Sequence, residues 1–192
     1  MVSIEELKKE ALINKIPICS DDSLNYILKL IDANNIKNIL EIGTAIGYSS
    51  IFLSLKNSNI TITTIEKDEK RYLEAIKNIK RFNLEDRIKP VFCDGLDYKI
   101  DSSYDLIFID AAKAQNINFF KKFSPNLNNG GVIVTDNMLF HGLVEKKSEN
   151  LSKNVLGLIR KIEEYKQFLN ENEHYNTVFV DIGDGLAISY RK

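Results

Sequence analysis

The chain has 192 residues, 44% of them hydrophobic and 28% charged, with a net charge of -1. That size and balance describe one globular domain with a buried core, and the near-neutral charge leaves no chain-wide electrostatic footprint for nucleic acid. No apolar run is long enough to cross a bilayer, and no secretory h-region opens the chain, so a cytoplasmic enzyme with no membrane association is expected.

The elements follow in chain order. MVSIEELKKEALINK opens as a charged amphipathic helix, and DDSLNYILKLIDANN supplies a second one. Apolar runs with strand character then alternate with helical patterns: NILEI at 38–42, ITITTIE at 60–66, IKPVF at 88–92, YDLIFID at 104–110 and GVIVTD at 131–136. Between them, SSIFLSLKN and DEKRYLEAIKNIKRFN have helical character, and the acids Asp68 and Glu69 suit the start of the second of these. Strand alternating with helix predicts a parallel sheet. A polar stretch from 146 to 173 carries one more helix. YNTVFVDIGDGLAISYRK ends the chain as an antiparallel hairpin, with the glycines of GDG at 183–185 providing its positive-φ positions. Cys19 and Cys93 stand far apart, outside any CxxC or Cys/His cluster, and read as reduced thiols.

Two groups of residues carry chemistry. In ILEIGTAIGYSS a strand ends at Glu41 and a turn bearing Gly43 and Gly47 leads into a helix. Glycines there let backbone approach a ligand, beside the free N–H groups of a helix start. The third glycine of a dinucleotide turn is missing, which argues against a dehydrogenase. Glu66 ends the next strand 19 residues after Gly47, where a carboxylate can accept both ribose hydroxyls. A nucleoside carrying an amino acid, S-adenosylmethionine, fits that order. The second group is Asp110, Asp136 and Asn137, three oxygen-bearing side chains at adjacent strand ends on the carboxyl edge of the sheet. Hard oxygen ligands of this kind suit Mg²⁺ or a similar divalent cation. Lys113, three residues after Asp110, is close enough in sequence to pair with it instead.

Through PICSDDSLNYI, ILEIGTAIGYSS, TTIEKDE, FIDAAK, GGVIVTDNMLFHG and DIGDGLAIS, residues 16–191 resemble the cation-dependent class I O-methyltransferases that include the catechol and caffeoyl-CoA enzymes. The resemblance implies a Rossmann-like α/β fold with a seven-stranded, mostly parallel sheet, an antiparallel C-terminal strand and helices on both faces. It implies one domain over 1–192, with helices in 1–35 covering the cofactor and substrate side, and a homodimer. By the same likeness Asp110, Asp136 and Asn137 hold the metal and Lys113 is catalytic, as base or as stabiliser of the oxyanion. Glu41, Gly43, Ser49, Glu66, Asp94, Gly95 and Asp110 line the cofactor site. Many small-molecule members read DADK where this chain has DAAK, so Ala112 departs from their pattern. DAAKAQN resembles the bacterial branch that methylates 5-hydroxyuridine at the tRNA wobble position. That makes tRNA the expected substrate, with a small phenolic acceptor as the alternative. His141 and His174 are expected to be a loop and a surface histidine, and Lys146, Lys147, Lys153, Arg160 and Lys161 a solvated helix face.

Overall fold

A computed structural model describes residues 3–139 and 152–192. His141, Lys146 and Lys147 therefore lie outside the described residues. The chain runs through α1 (Ile4–Ile13), α2 (Asp21–Ala33), β1 (Asn38–Ile42), α3 (Tyr48–Lys56), β2 (Thr61–Glu66), α4 (Glu69–Arg81), β3 (Ile88–Phe92), β4 (Tyr104–Ile109), α5 (Asn116–Phe123), β5 (Leu127–Thr135), α6 (Lys153–Asn170), β6 (Tyr175–Val180) and β7 (Leu186–Arg191).

The strands form one seven-stranded sheet in the order β3-β2-β1-β4-β5-β7-β6. β1 through β5 pair in parallel, whereas β7 inserts antiparallel between β5 and β6. This is the Rossmann-like arrangement expected from the alternating elements. Period-two alternation sends neighbouring apolar residues to opposite faces. Ile39, Leu106, Phe108, Val132 and Val134 join α1 to α3 in one core cluster. Leu40, Ile42, Ile107, Ile109 and Ile133 join the aromatic residues of α5 and Ile162, Tyr165 and Leu169 of α6 in the other. Apolar side chains on both faces explain why the central strands read as continuous hydrophobic runs.

Local chemistry fixes the helix starts. Ser20 and Asp68 accept from the third backbone N–H of α2 and α4, and Ser3 forms a reciprocal capping box with Glu6. Several boundaries differ from the sequence reading: β1 runs one residue past Glu41 to Ile42, β2 starts at Thr61, and β5 stops at Thr135, just before Asp136. β4 stops at Ile109 and leaves Asp110 just beyond the strand. β5 begins at Leu127, because pairing with Tyr104 extends it backwards through Asn128, Asn129 and two glycines that carry no apolar pattern. Lys113 starts a 3-10 turn, Lys113–Gln115, that leads into α5.

The strand order reverses between β1 and β4, since β1 is followed by β2 and β3 on one side and β4 by β5 on the other. Open α/β sheets bind ligands at such a reversal, beyond the carboxyl ends of the strands. Gly43 and Asp110 follow directly from those two strands.

Candidate functional site

The turn after β1 is built on three positive-φ residues, Gly43 at 105°, Ala45 at 47° and Gly47 at 84°. The N–H groups of Gly43 and Thr44 both donate to the carbonyl of Ile65, tying the turn to β2. Across the reversal, the Asp110 N–H donates to the Ile42 carbonyl at 2.9 Å. A Cβ on Gly43 would lie 2.2 Å from the Asp110 carbonyl oxygen, so only glycine lets the two loops meet. Gly47 begins α3 without a side-chain cap, which leaves the first N–H groups of that helix for solvent or a ligand.

Glu41 lies beneath this turn, 1% exposed. Its carboxylate accepts from the hydroxyls of Ser49, Ser50 and Thr64, the last at 2.6 Å. Burial pushes its pKa up, against those three hydrogen bonds. Ser49 is thus directed at Glu41 rather than standing alone in the crevice. Glu66 ends β2, and its two oxygens accept from the backbone N–H groups of Ala45, Lys67 and Asp68 at 2.8–3.0 Å. It braces the glycine turn against the start of α4 and keeps limited lone-pair capacity for a further donor. Asp94 closes a turn by accepting from the Leu96 N–H at 2.9 Å and lies 3.6 Å from the Lys67 ammonium. A Cβ on Gly95 would stand 3.0 Å from the Phe119 ring and 3.2 Å from Ile42, so this backbone is pressed against both elements.

On the other side of Asp110 lie the strand-end oxygens. The Asn137 amide donates to Asp110 Oδ1 at 3.2 Å, bridging the ends of β4 and β5. Asn137 takes φ 66°, a left-handed conformation that asparagine tolerates better than most residues, and this turns its side chain back toward Asp110. Asp136 is 4% exposed and receives the Ser23 hydroxyl at 3.5 Å. Burial raises the pKa of Asp110 well above the usual carboxylate range, reinforced by Asp136 and Glu41 and opposed by Lys113. Burial also raises Asp136, with Asp184 adding to it while Lys113 again opposes. A buried acid beside a half-buried one meets repulsion, and a cation between two such acids removes that cost. Asp110, Asp136 and Asn137 are therefore brought together, with Lys113 close enough for its charge to act on both acids.

Three contributors were hidden in the sequence. Cys19, just before α2, is 5% exposed, and its sulfur lies with one oxygen each of Asp110 and Asp136 in a set whose members are all within 4.8 Å. Ser23 reaches Asp136 from 113 residues away. The hairpin turn also touches this corner: the N–H groups of Met138 and Leu139 donate to the Gly185 and Asp184 carbonyls, and Gly183 abuts the Ser20 and Ser23 hydroxyls. GDG supplies positive φ at both glycines as expected, and it also buttresses the loop after Asn137. The weak sign in advance was the pairing of two positive-φ glycines with a short loop. His174 is exposed, and Arg160 and Lys161 pair with Glu164 on the surface of α6.

A glycine turn at the strand reversal, a carboxylate at the end of β2 and acids just beyond β4 and β5 lie together at the carboxyl edge of the sheet, where open α/β folds bind their ligands. A family model described as O-methyltransferase matches residues 2–192. The chain belongs to this O-methyltransferase family. Like the family, it is an S-adenosylmethionine-dependent O-methyltransferase, of the caffeoyl-CoA O-methyltransferase type. A Staphylococcus aureus structure described as a candidate caffeoyl-CoA O-methyltransferase is 40% identical with a TM-score of 0.94, covering 100% of this chain and 93% of that one. The O-methyltransferase from Bacillus cereus, solved in complex with SAH, is 26% identical with a TM-score of 0.82, covering 98% and 90%. The caffeoyl-CoA O-methyltransferase of Medicago sativa is 31% identical over 180 residues, 88% of this chain and 71% of that protein. Among the described residues of this O-methyltransferase, no helix is long and apolar enough to cross a membrane.

Proposed function

We propose that this O-methyltransferase methylates a hydroxyl that has a second oxygen beside it on the acceptor, at a divalent cation held by Asp110, Asp136 and Asn137. The observation that carries the reading is the 3.2 Å contact from Asn137 to Asp110, beside the buried Asp136, at two adjacent strand ends. Two carboxylates and an amide, which presents its oxygen after rotation about its last torsion, are hard donors suited to Mg²⁺. Such a cation supplies positive charge that favours the ionised form of an acceptor hydroxyl.

This chain's own residues do the rest. Lys113, at the start of the 3-10 turn after β4, takes the hydroxyl proton or steadies the oxyanion. Gly43 opens the crevice next to Asp110, and Glu66 offers its carboxylate to a ribose at the end of β2. Asp94 and Gly95 border the adenine, while Glu41 and Ser49 support the turn that receives the amino-acid end of the donor.

Two acceptor classes present adjacent oxygens. The names of the relatives favour a small catechol-type acceptor such as a caffeoyl ester. A second reading, 5-hydroxyuridine at the tRNA wobble position, is favoured by DAAKAQN, where Ala112 replaces the second acid of many small-molecule members. Purified protein with S-adenosylmethionine and Mg²⁺ is offered an ortho-diphenol in one arm and tRNA containing 5-hydroxyuridine in the other, with chelator as control. Mass spectrometry then reads a gain of one methyl group. Turnover in one arm identifies the acceptor class. Turnover that survives the chelator overturns the cation's role.

A further inference from the structure

The oxygen donors do not exhaust what surrounds this corner of the molecule. Cys19 comes from a third segment, ahead of α2, and its sulfur and one oxygen each of Asp110 and Asp136 all lie within 4.8 Å of one another. Two donors sharing one ion, with metal–oxygen lengths of about 2.1 Å and metal–sulfur of about 2.3 Å, can be at most about 4.4 Å apart. That limit holds only for donors on opposite sides of the ion; at octahedral or tetrahedral angles they stand roughly 3–3.6 Å apart, so side-chain movements of about 1–2 Å at most bring all three onto one ion.

The thiol's position is held from several directions. It immediately precedes Ser20, the N-cap of α2, whose hydroxyl accepts from the Ser23 N–H at 3.1 Å. Ser23 in turn donates to Asp136, so the same helix start fixes both the thiol and one of the acids. Gly183 closes over this segment from the hairpin side, touching Ser20 and Ser23. A buried cysteine is ordinarily a small apolar residue among hydrocarbon. This one is 5% exposed and belongs to the apolar cluster beneath α1 to α3, yet its sulfur, 3.8 Å from the Ser20 carbonyl, also has two carboxylate oxygens within 4.8 Å. Cys93, the other thiol, is absent from the cluster.

We propose that Cys19 is a further protein donor to the cation, so that the site prefers a sulfur-tolerant divalent ion such as Fe²⁺, Co²⁺ or Zn²⁺ over Mg²⁺. This rests on the reading that Asp110, Asp136 and Asn137 hold a cation. Sulfur changes the ranking because a thiolate binds borderline ions far better than it binds Mg²⁺, which is selected by oxygen alone. Coordination converts the thiol to a thiolate, and its proton passes to the buffer.

The test uses metal-free, full-length protein titrated with Co²⁺. A sulfur-to-cobalt charge-transfer band is expected in the near ultraviolet, retained in Cys93→Ser and lost in Cys19→Ser. Calorimetry is expected to show Co²⁺ affinity falling about tenfold or more in Cys19→Ser, with Mg²⁺ affinity changing less than about threefold. X-ray absorption at the cobalt edge of the unaltered protein reads the donor directly, with one sulfur expected at about 2.3 Å, and so does not depend on the variant folding. Cobalt bound through light atoms alone, or a band that persists in Cys19→Ser, overturns the role of Cys19 while leaving the oxygen site standing. No calorimetric binding of any divalent ion overturns both readings together.

Discussion

At the scale of single residues, the site is governed by what is missing and by what repels. Gly43 is required because a Cβ would sit 2.2 Å from the Asp110 carbonyl oxygen and because φ 105° strains any side chain. Gly43→Ala is expected to cost about 1–3 kcal/mol from strain alone, and the clash adds to that. SAH binding by calorimetry should fall in the same variant, since the Asp110 and Gly43 loops can no longer meet. Asp136 shows the opposite economy. It is buried beside Asp110; burial raises the pKa of both, with the Asp136 charge adding to the shift of Asp110 and the Asp184 charge to that of Asp136. Asp136→Ala is therefore expected to leave the melting temperature of the metal-free protein unchanged or raised. Cation affinity is expected to drop by more than about 100-fold, beyond what loss of a supporting group costs. A large loss of stability in the metal-free variant would mean that Asp136 is structural.

At the scale of elements, the strands are held in register at their amino ends as firmly as they are opened at their carboxyl ends. Asp105 in β4 accepts from the N–H groups of Lys37 and Asn38 at the start of β1 and from the Asn128 amide in β5, at 2.7–2.9 Å. Burial acts to raise its pKa, but those hydrogen bonds and the Lys37 charge outweigh it and hold the carboxyl below its usual value. The folded pKa is the lower one, so the stabilisation is complete above the unfolded value of about 3.9 and is lost as pH falls through the folded value. Asp105→Ala is expected to cost about 1–2 kcal/mol at pH 7, discounted for partial exposure. In thermal unfolding, the gap to the unaltered protein should close as pH drops below about 4. A gap independent of pH would assign the effect to packing instead.

At the scale of the whole molecule, the sheet and its two apolar clusters are built from the apolar residues of every layer, while the crevice lies where the strand order reverses. The helices before β1 are part of that arrangement. Lys8 of α1 pairs with Asp21 at 2.6 Å, and the Tyr48 hydroxyl of α3 donates to the same carboxylate at 2.7 Å. A ligand that binds only the folded state should therefore stabilise the entire domain. SAH at 100 times its dissociation constant is expected to add about 2.7 kcal/mol and raise the melting temperature by about 5–10 °C for a domain near this size. A cation bound at the proposed site should likewise raise melting, and chelator should return it to that of the metal-free protein. Thermal denaturation with and without SAH checks both, and an unchanged melting temperature with saturating SAH would count against the crevice as the cofactor site.

The sequence by itself determined the alternation of strands and helices, the terminal hairpin, the glycine turn after β1 and the acids at the ends of β2, β4 and β5. These are local properties: side-chain period, turn chemistry and position at a strand end are written within a few neighbouring residues. It also carried the three oxygen donors, because adjacent parallel strands bring their ends together by construction. Only the tertiary structure decided that Gly43 must lack a side chain to clear Asp110, and that the carboxylates of Glu41 and Glu66 brace the turn. It alone brought Cys19, Ser23 and the hairpin glycines to Asp136. Contacts spanning more than a hundred residues depend on how layers pack, and no local pattern in the chain encodes which loops will meet.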